Sequence, residues 1–291
     1  MSERILTPAQ SIERSIIKTY RVDIWNKFVM GVKRYKMINE NDRIAVCVSG
    51  GKDSMLMAKC IQHLQKFSDV KFELEYIFMD TGKGEDITEA VKENAEYADI
   101  PLTIFKADEK QNTDDRLENL NGLYRYAKSL GCNKIALGHH FDDVIENNIM
   151  GMIYGGYVKG MMPKLKSKDF EGMELIRPLF VVKEADIKRW VNYSGVRLAD
   201  GACYITERFE ALDGEGSVPK KQEIKELMER FRKTNPNIEN NIFKSVYNVN
   251  LRTIVAYEYN GEKHNFLDDY DDYDWEAERR SRKGENAETE E

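Results

Sequence analysis

Six residues, Ser49-Gly50-Gly51-Lys52-Asp53-Ser54, bring together what phosphate chemistry needs: hydroxyls, adjacent glycines, a lysine and a carboxylate. They follow Arg43 to Val48, a short apolar, β-branched run that reads as a buried strand. They precede Met55 to Leu64, where apolar residues recur at helical spacing. The glycines therefore sit in a strand-to-helix turn, where Gly50 and Gly51 permit backbone angles and approaches that a side chain forbids. The free N–H groups of such a turn, with the helix dipole behind them, form an anion site, and Lys52 adds a mobile cation. The spacing is not that of the common phosphate loop G-x-x-x-x-G-K-[ST].

A second chemical stretch, Gly138-His139-His140-Phe141-Asp142-Asp143-Val144-Ile145-Glu146, leaves an expected strand at Lys134–Leu137 and opens a helix. Capping by Asp142 or Asp143 explains one carboxylate but not the whole cluster. Asp142, Asp143 and Asp53 are candidate magnesium contacts, since magnesium takes one or two carboxylates beside phosphates and water. Zinc fits less well, with no cysteine inside the motif.

Strand and helix alternate around these motifs. Strands are expected at Lys71–Met79, ending in Asp80-Thr81-Gly82, and at Pro101–Phe105, with helices near Glu85–Tyr97 and Leu123–Leu130. This pattern predicts an α/β fold, a parallel sheet with helices on both faces. Ligands of such sheets bind beyond the carboxyl ends of strands, and Ser49, Asp80 and Gly138 all fall at such ends. A helix over Ser11–Met37 carries Ile12, Ile16, Tyr20, Ile24, Phe28 and Val32 on one face, with basic residues between them on a face open to solvent or RNA. Beyond the second motif, residues 156–190 hold eight Lys/Arg against five Asp/Glu, a local excess that suits either a solvated loop or a phosphate-contacting face. Helices are expected at Lys183–Tyr193, Lys221–Arg232 and Asn237–Val249, an irregular stretch at Gly201–Lys220, and a hairpin around Asn260-Gly261. The expected division is a helical segment over 1–40, a nucleotide-binding domain over 41–200, a helical and hairpin extension over 201–278, and a disordered tail over 279–291.

The net charge of −7 misleads about partners. Residues 268–291 hold eleven Asp/Glu and four Lys/Arg, so the remainder balances at 40 of each sign, and an RNA-binding face is compatible with the acidic total. No apolar run is long enough to span a membrane. The first residues lack a signal peptide's apolar core, and the four cysteines (Cys47, Cys60, Cys132, Cys203) are widely spaced. A cytoplasmic protein with reduced thiols is expected.

The first motif resembles the S-G-G-x-D-S signature of the PP-loop ATP pyrophosphatase superfamily, and G-H-H-x-D-D resembles the companion motif of its tRNA-modifying members. Tyr154-Gly155-Gly156, then Lys159-Gly160-Met161-Met162-Pro163-Lys164-Leu165, then Ile176-Arg177-Pro178-Leu179 look like the tRNA 2-thiocytidine synthetase (TtcA-type) branch rather than the lysidine branch. The resemblance covers most of Ile12 to about Asp269. It implies an adenine nucleotide alpha hydrolase-like (HUP-type) fold, with ATP held by Ser49, Gly50, Gly51, Lys52, Asp53, Ser54, Asp80, Gly138 and His139. It further implies catalytic roles for Lys52, Asp53 and Cys203, and magnesium at Asp142 and Asp143. The implied partners are ATP, tRNA and a sulfur-donor protein; a homodimer is admitted, and no membrane is involved. The implied reaction is adenylation of a base carbonyl followed by sulfur transfer.

The chain departs from that branch at one place. The family's C-x-x-C pair, which with a third cysteine holds an iron–sulfur cluster, falls here at Asn112 and Asp115, and only Cys203 lies near the third-ligand region. Cluster ligation needs several thiolates. Two other readings therefore stand beside sulfur transfer: a ligase with a nitrogen nucleophile, as in the lysidine branch, and a nucleotide- or RNA-binding module without turnover.

Overall fold

β1 (Arg43–Cys47) is the axis of the fold and is buried on both faces. Its alternate side chains enter different cores: Ile44 and Val46, with Val48 beyond, go one way, and Ala45 and Cys47 the other. The computed structural model describes residues 6–80, 82, 85–107, 116–196, 217–268 and 270–271. Asn112, Asp115, Cys203 and the expected tail over 279–291 lie outside them.

In chain order the elements are α1 (Pro8–Arg14), α2 (Asn26–Arg34), β1, α3 (Lys52–Phe67), β2 (Glu73–Asp80), α4 (Glu85–Tyr97), β3 (Leu102–Lys106), α5 (Arg116–Ser129), β4 (Lys134–Ala136) and α6 (Phe141–Met150). There follow β5 (Lys164–Lys166), β6 (Glu174–Ile176), α7 (Glu184–Ser194), α8 (Ser217–Thr234), α9 (Ile238–Ser245), β7 (Ala256–Tyr259) and β8 (Glu262–Asn265). Six strands form one sheet in the order β3-β2-β1-β4-β6-β5, all parallel except β5, which pairs antiparallel with β6. The sheet is thus mixed at one edge rather than wholly parallel. Its edge hairpin lies in the lysine-rich stretch, where three-residue strands leave too little alternation to read.

β1, β2 and β3 step outward in one direction, and β4 returns to the other side of β1. The direction of winding therefore reverses between β1 and β4, the place where open α/β sheets bind ligands. One face of the sheet is covered by a thick layer, in which α1, α2, α3, α4, α6 and α7 pack on Ile44, Val46, Tyr76, Phe78, Ala136 and Ile176. The other face meets Leu123, Tyr124 and Ala127 of α5 over Ala45, Cys47, Ile77, Met79, Ile135 and Leu175. α3 is buried without a break from Asp53 to Ile61, as expected of a helix roofed by other helices.

The N-terminal helix begins earlier than its periodicity suggests. Thr7 caps α1, with its hydroxyl accepting from Gln10 N–H and the Gln10 side chain accepting from Thr7 N–H, and Pro8 stands in the first turn. Two π-helical turns, Ser15–Thr19 and Arg21–Trp25, then separate α1 from α2. Trp190 of α7 donates its indole N–H to Ser15 Oγ at 2.9 Å, which fastens this region to the domain. Contacts divide the chain into two compact units, Met1–Phe243 and Lys244–Glu291, so the expected boundaries after residues 40 and 200 both fall inside the first. The second unit contains a hairpin of β7 and β8, whose turn residues Asn260 and Gly261 both have positive φ, as a tight two-residue turn requires. Among the described residues no helix is long and apolar enough to cross a membrane.

At the amino-terminal edge of the sheet, Lys134 of β4 is buried with its Nζ 2.8 Å from Asp42 and 3.3 Å from Glu174, while donating to Met37 O. Asp42 also accepts from Asn39 N–H and from the Asn133 side chain. Removing one partner of a buried pair strands the other charge, at a cost of about 3 kcal/mol or more. Asp42→Ala should therefore lower the urea midpoint by an amount corresponding to about 3 kcal/mol; a loss below about 1 kcal/mol would show that Glu174 and Met37 O satisfy the ammonium alone.

Candidate functional site

The turn after β1 is built by its own hydroxyls. Gly50 sits at φ +80°, and Gly51 is extended at the N-terminus of α3 with no side-chain cap beneath that helix. Ser54 Oγ accepts from Ser49 N–H at 3.0 Å and donates to Gly51 O at 3.0 Å, while Ser49 Oγ lies 3.1 Å from Ser54 Oγ. The two serines thus brace the turn from within, and the first N–H groups of α3 are left to a ligand.

The second motif arrives beside it. A Cβ added at Gly138 would lie 3.1 Å from Ser54 N and 3.2 Å from Asp53 C, so a glycine is what lets the turn after β4 lie against the α3 backbone. His140 then caps α6: its N–H donates to Asp143 Oδ2 at 2.9 Å, and its Nδ1 accepts from Asp143 N–H at 3.4 Å. The N-termini of α3 and α6 are thereby brought together, and side chains from five elements form a charged ring around them. Lys52 Nζ contacts Asp53 Oδ2 at 2.8 Å and Glu184 Oε1 at 3.1 Å, and Asp53 Oδ1 lies 3.6 Å from His140 Nε2. Asp142 Oδ2 accepts from the Glu184 N–H at 2.7 Å, and its Oδ1 accepts from Arg232 at 2.8 Å. Arg232 also pairs with Glu239, which pairs with Lys183 at 2.7 Å. Lys221 Nζ lies 3.6 Å from Asp143 Oδ1.

Burial works against charge on Lys52, but Asp53 and Glu184 hold its pKa above the ordinary lysine value. Glu184 is held down at about 2: burial would raise it, and Lys52 and Lys188 prevail. His139 is pushed down to about 3 by burial and by Arg177, whereas His140 is raised by Asp143, Asp53 and Asp142 although burial opposes its charge.

A cleft opens beside the turn on the α5 face, lined by Cys47, Ser49, Ile77, Met79, Leu123, Leu137, Gly138 and His139 among others. Its walls are mostly apolar, with polar atoms at the turn. His139 Nδ1 is buried there without a hydrogen-bond partner in the structure, and so, outside the cleft lining, is Asp53 Oδ1. An aromatic base against the apolar wall and phosphates at the turn fit this distribution.

The structure brings together Ser49, Gly50, Gly51, Lys52, Asp53, Ser54, Gly138 and His139, as expected of an ATP site. Asp80 ends β2, but its Oδ1 accepts from Gly82 N–H, and Met79 rather than Asp80 lines the cleft. Asp142 and Asp143 lie at the site as expected. Both Asp142 oxygens are engaged, however, and Asp143 is committed to the α6 cap. Among the described residues no three His, Cys, Asp or Glu side chains are arranged to hold a metal ion. Glu184, Lys221 and Arg232 carried no role in the sequence reading, and Arg177 stood in it only as part of the Ile176–Leu179 run. The charged runs that contain the first three give no sign of which members turn inward.

The three described cysteines do not suit an iron–sulfur cluster. Cys47, Cys60 and Cys132 are buried core thiols. Burial pushes Cys47 up to about 12 and Cys132 up to about 11, and raises Cys60 further still. None is a ready thiolate.

Glu146, one turn into α6, is buried, and its Oε2 has no hydrogen-bond partner. Burial, reinforced by Asp143, pushes its carboxyl up to about 7 against the pull of Lys221, Lys225 and His140, from an ordinary value of 4.5. The native state holds this proton more tightly than the unfolded chain. Glu146 therefore contributes stability that is fully present below about pH 4.5 and is lost as pH rises through about 7. In EDTA, Glu146→Gln should flatten the decline in urea stability across that window and gain roughly 2 kcal/mol over the parent at about pH 8. Parallel pH profiles for the two proteins would refute the assignment.

Comparison with known proteins agrees with this geometry. The PP-loop domain family model matches residues 24–210. The tRNA-cytidine(32) 2-sulfurtransferase of Alcanivorax borkumensis is 32% identical over 231 residues, covering 74% of this chain and 76% of that protein. That of Vibrio vulnificus is 31% identical over 262 residues, covering 82% and 80%. Among solved structures, the U34-tRNA thiolase NcsA from Methanococcus maripaludis, determined with its 4Fe-4S cluster, has a TM-score of 0.58 at 17% identity, covering 77% of this chain and 80% of that one, a likeness of fold. With its two motifs meeting at the reversal between β1 and β4, this chain belongs to the PP-loop family, in the branch of the tRNA-cytidine 2-sulfurtransferases.

Proposed function

We propose that the protein activates a carbonyl of a tRNA base, of the cytidine 2-carbonyl class, with ATP and directs a sulfur nucleophile to the activated carbon. The observation that carries the reading is the meeting of the Ser49–Ser54 turn with the Gly138–Asp143 turn beside an apolar cleft.

The carbonyl oxygen attacks the α-phosphorus of ATP. The new O–P bond forms as the α,β-bridging P–O bond breaks, and pyrophosphate departs with the electron pair. The N–H groups at the start of α3 and the Lys52 ammonium hold the departing charge, donors already in place before charge develops. A sulfur nucleophile at the oxidation level of hydrosulfide then adds to the carbon, and the C–O bond breaks to release AMP, leaving C=S. Adenylation thus turns a poor leaving oxygen into a good one. The unpartnered Asp53 Oδ1 suits a magnesium ion completed by ATP phosphates and water, and such an ion would draw off pyrophosphate charge.

No step is assigned to an iron–sulfur cluster, because Asn112 and Asp115 stand at the expected thiolate positions and offer hard oxygen donors. Cys203 is the remaining candidate as sulfur carrier, as a persulfide whose outer sulfur a second thiol would release as hydrosulfide by forming a disulfide with the carrier. Loss of the cluster also keeps the nitrogen-nucleophile reading in play, and the two differ in product.

Incubation with labelled ATP and bulk tRNA should release AMP and pyrophosphate together, in a tRNA-dependent manner. Asp53→Ala and Lys52→Ala should each slow release by about a hundredfold. Nucleotide turnover that ignores tRNA, or variants as fast as the parent, would sink the reading. A thiolated nucleoside in the digest supports sulfur transfer; an aminated one replaces it with the ligase.

Anaerobic reconstitution with iron and sulfide should leave less than one cluster per chain by iron and sulfide count and no visible charge-transfer band, while ATP affinity is retained. A stoichiometric, Cys203-dependent cluster would show that further ligands exist.

A further inference from the structure

α6 continues past Met150 into a π-helical turn, Gly151–Gly155, that ends at Gly156 with φ +66°. The left-handed residue reverses the chain, and Tyr157 N–H donates back to Gly151 O at 3.1 Å. The Tyr157 ring therefore lies over the turn it has just left. A Cβ on Gly151 would meet ring atoms Cε2 and Cδ2 at 2.9 and 3.2 Å, and one on Gly155 would collide with Cε1, Cδ1 and Cζ. Approach to both edges of the ring means that it lies face-on to the backbone of two glycines four residues apart. Only glycine at both positions admits this seat. Tyr157 nevertheless stays 39% exposed, and Met152, Ile153, Val158 and Met162 around it are exposed as well.

The charge of this segment is one-sided. Residues 151–168 contain Lys159, Lys164, Lys166 and Lys168 and no carboxylate. Lys164 is engaged with Lys36 O, while Lys159, Lys166 and Lys168 are exposed. A seated aromatic ring with exposed apolar neighbours, in a segment whose charges are all cationic, matches what binds unpaired nucleotides: a π-face for the base and positive charge for the backbone. A second copy of this chain would bring the same lysines to the contact and repel. The structure places the patch at the far end of α6, whose N-terminus is at the ATP site. Fifteen residues of helix and π-turn separate the two by about 20 Å, a span that several unpaired nucleotides bridge.

We propose that the Tyr157 ring, seated on Gly151 and Gly155, is a stacking platform for an unpaired nucleotide of the RNA substrate, held there by Lys159, Lys166 and Lys168. This rests on the tRNA reading above and adds to it which part of the RNA is gripped, a single-stranded loop rather than a paired stem.

The test measures binding of a hairpin RNA with an unpaired loop, and of a fully paired duplex of equal length, to the whole protein. Tyr157→Ala should weaken hairpin binding about tenfold and leave duplex binding and ATP affinity unchanged. Tyr157→Phe should bind the hairpin as the parent does. Gly155→Ala, which unseats the ring without removing it, should reproduce the loss. Lys159→Glu with Lys166→Glu should weaken both RNAs and reduce the salt dependence. Equal hairpin affinity in Tyr157→Ala and parent overturns the platform, as does equal loss for hairpin and duplex. A parent dimer in sedimentation that Tyr157→Ala dissociates also overturns it, assigning the patch to a second copy. If the parent binds neither RNA, the tRNA reading fails, and the platform with it.

Discussion

The site depends on one close approach, the turn after β4 lying against the first turn of α3 at Gly138. Any side chain there would press on backbone rather than on a side chain that could swing away. With the glycine, two helices that start on neighbouring strands point their amino ends at one spot. The free N–H groups of α3 and the dipoles of both helices then add. A protein that concentrates positive potential in this way must place carboxylates and cations around it in a closed arrangement, and the ring through Lys52, Asp53, His140, Glu184, Asp142 and Arg232 does so. Its members come from α3, α6, α7 and α8 and from the turn before α6, so the ring also fixes where the later helices sit.

The ring explains why so little of it was legible in advance. The strand before Ser49, the glycine pair and the G-H-H-x-D-D run are local signals: a period-two apolar run, a turn residue and a capping carboxylate are visible within ten residues of one another. The parallel pairing of the first four strands was legible from their alternation with helices. Glu184 lies 132 residues from Lys52 in chain order and Arg232 lies 90 from Asp142, and each occurs in a stretch as charged as its exposed neighbours. Nothing local separates an arginine that caps a buried aspartate from one that faces water. Capping by Asp143 was legible, and the structure adds its reciprocal half: Asp143 accepts from the His140 N–H while the His140 ring accepts from the Asp143 N–H. β5 and β6 were missed for another reason: three residues are too few to show a period, and their pairing is set by the edge of a sheet already built.

The thiols show the opposite case, where the sequence carried more than the fold. Cys47 lines the cleft, and by position alone it invites a catalytic role. Its surroundings argue otherwise. The side chain is buried in the core that holds Ala45, Ile77 and Leu137, and among the described residues its Sγ makes one long polar contact, to Ala45 O at 3.9 Å. A thiol so placed stays protonated and packs as a small apolar group. The nucleotide half of the chemistry is therefore embedded in the core of the domain. The sulfur half was already marked in the sequence as changed by Asn112 and Asp115.

The adjacent histidines show how the same residue type is put to two uses. The backbone at His140 is extended, with φ −121° and ψ −178°, so successive side chains leave on opposite sides. His139 turns to the α5 face, into the cleft, where burial and Arg177 keep it neutral. His140 turns to the α3 face, where Asp143 and Asp53 favour its charged form despite burial. The ring turned to the apolar wall is thereby held neutral, and the ring turned to α3 is the more readily protonated of the two. Pairs of titratable groups driven apart by environment are the usual mark of divided roles in a site. Here the division follows from one extended residue at the end of a strand, and an inserted or deleted residue between Gly138 and Phe141 would exchange the two faces while leaving composition and charge almost unaltered.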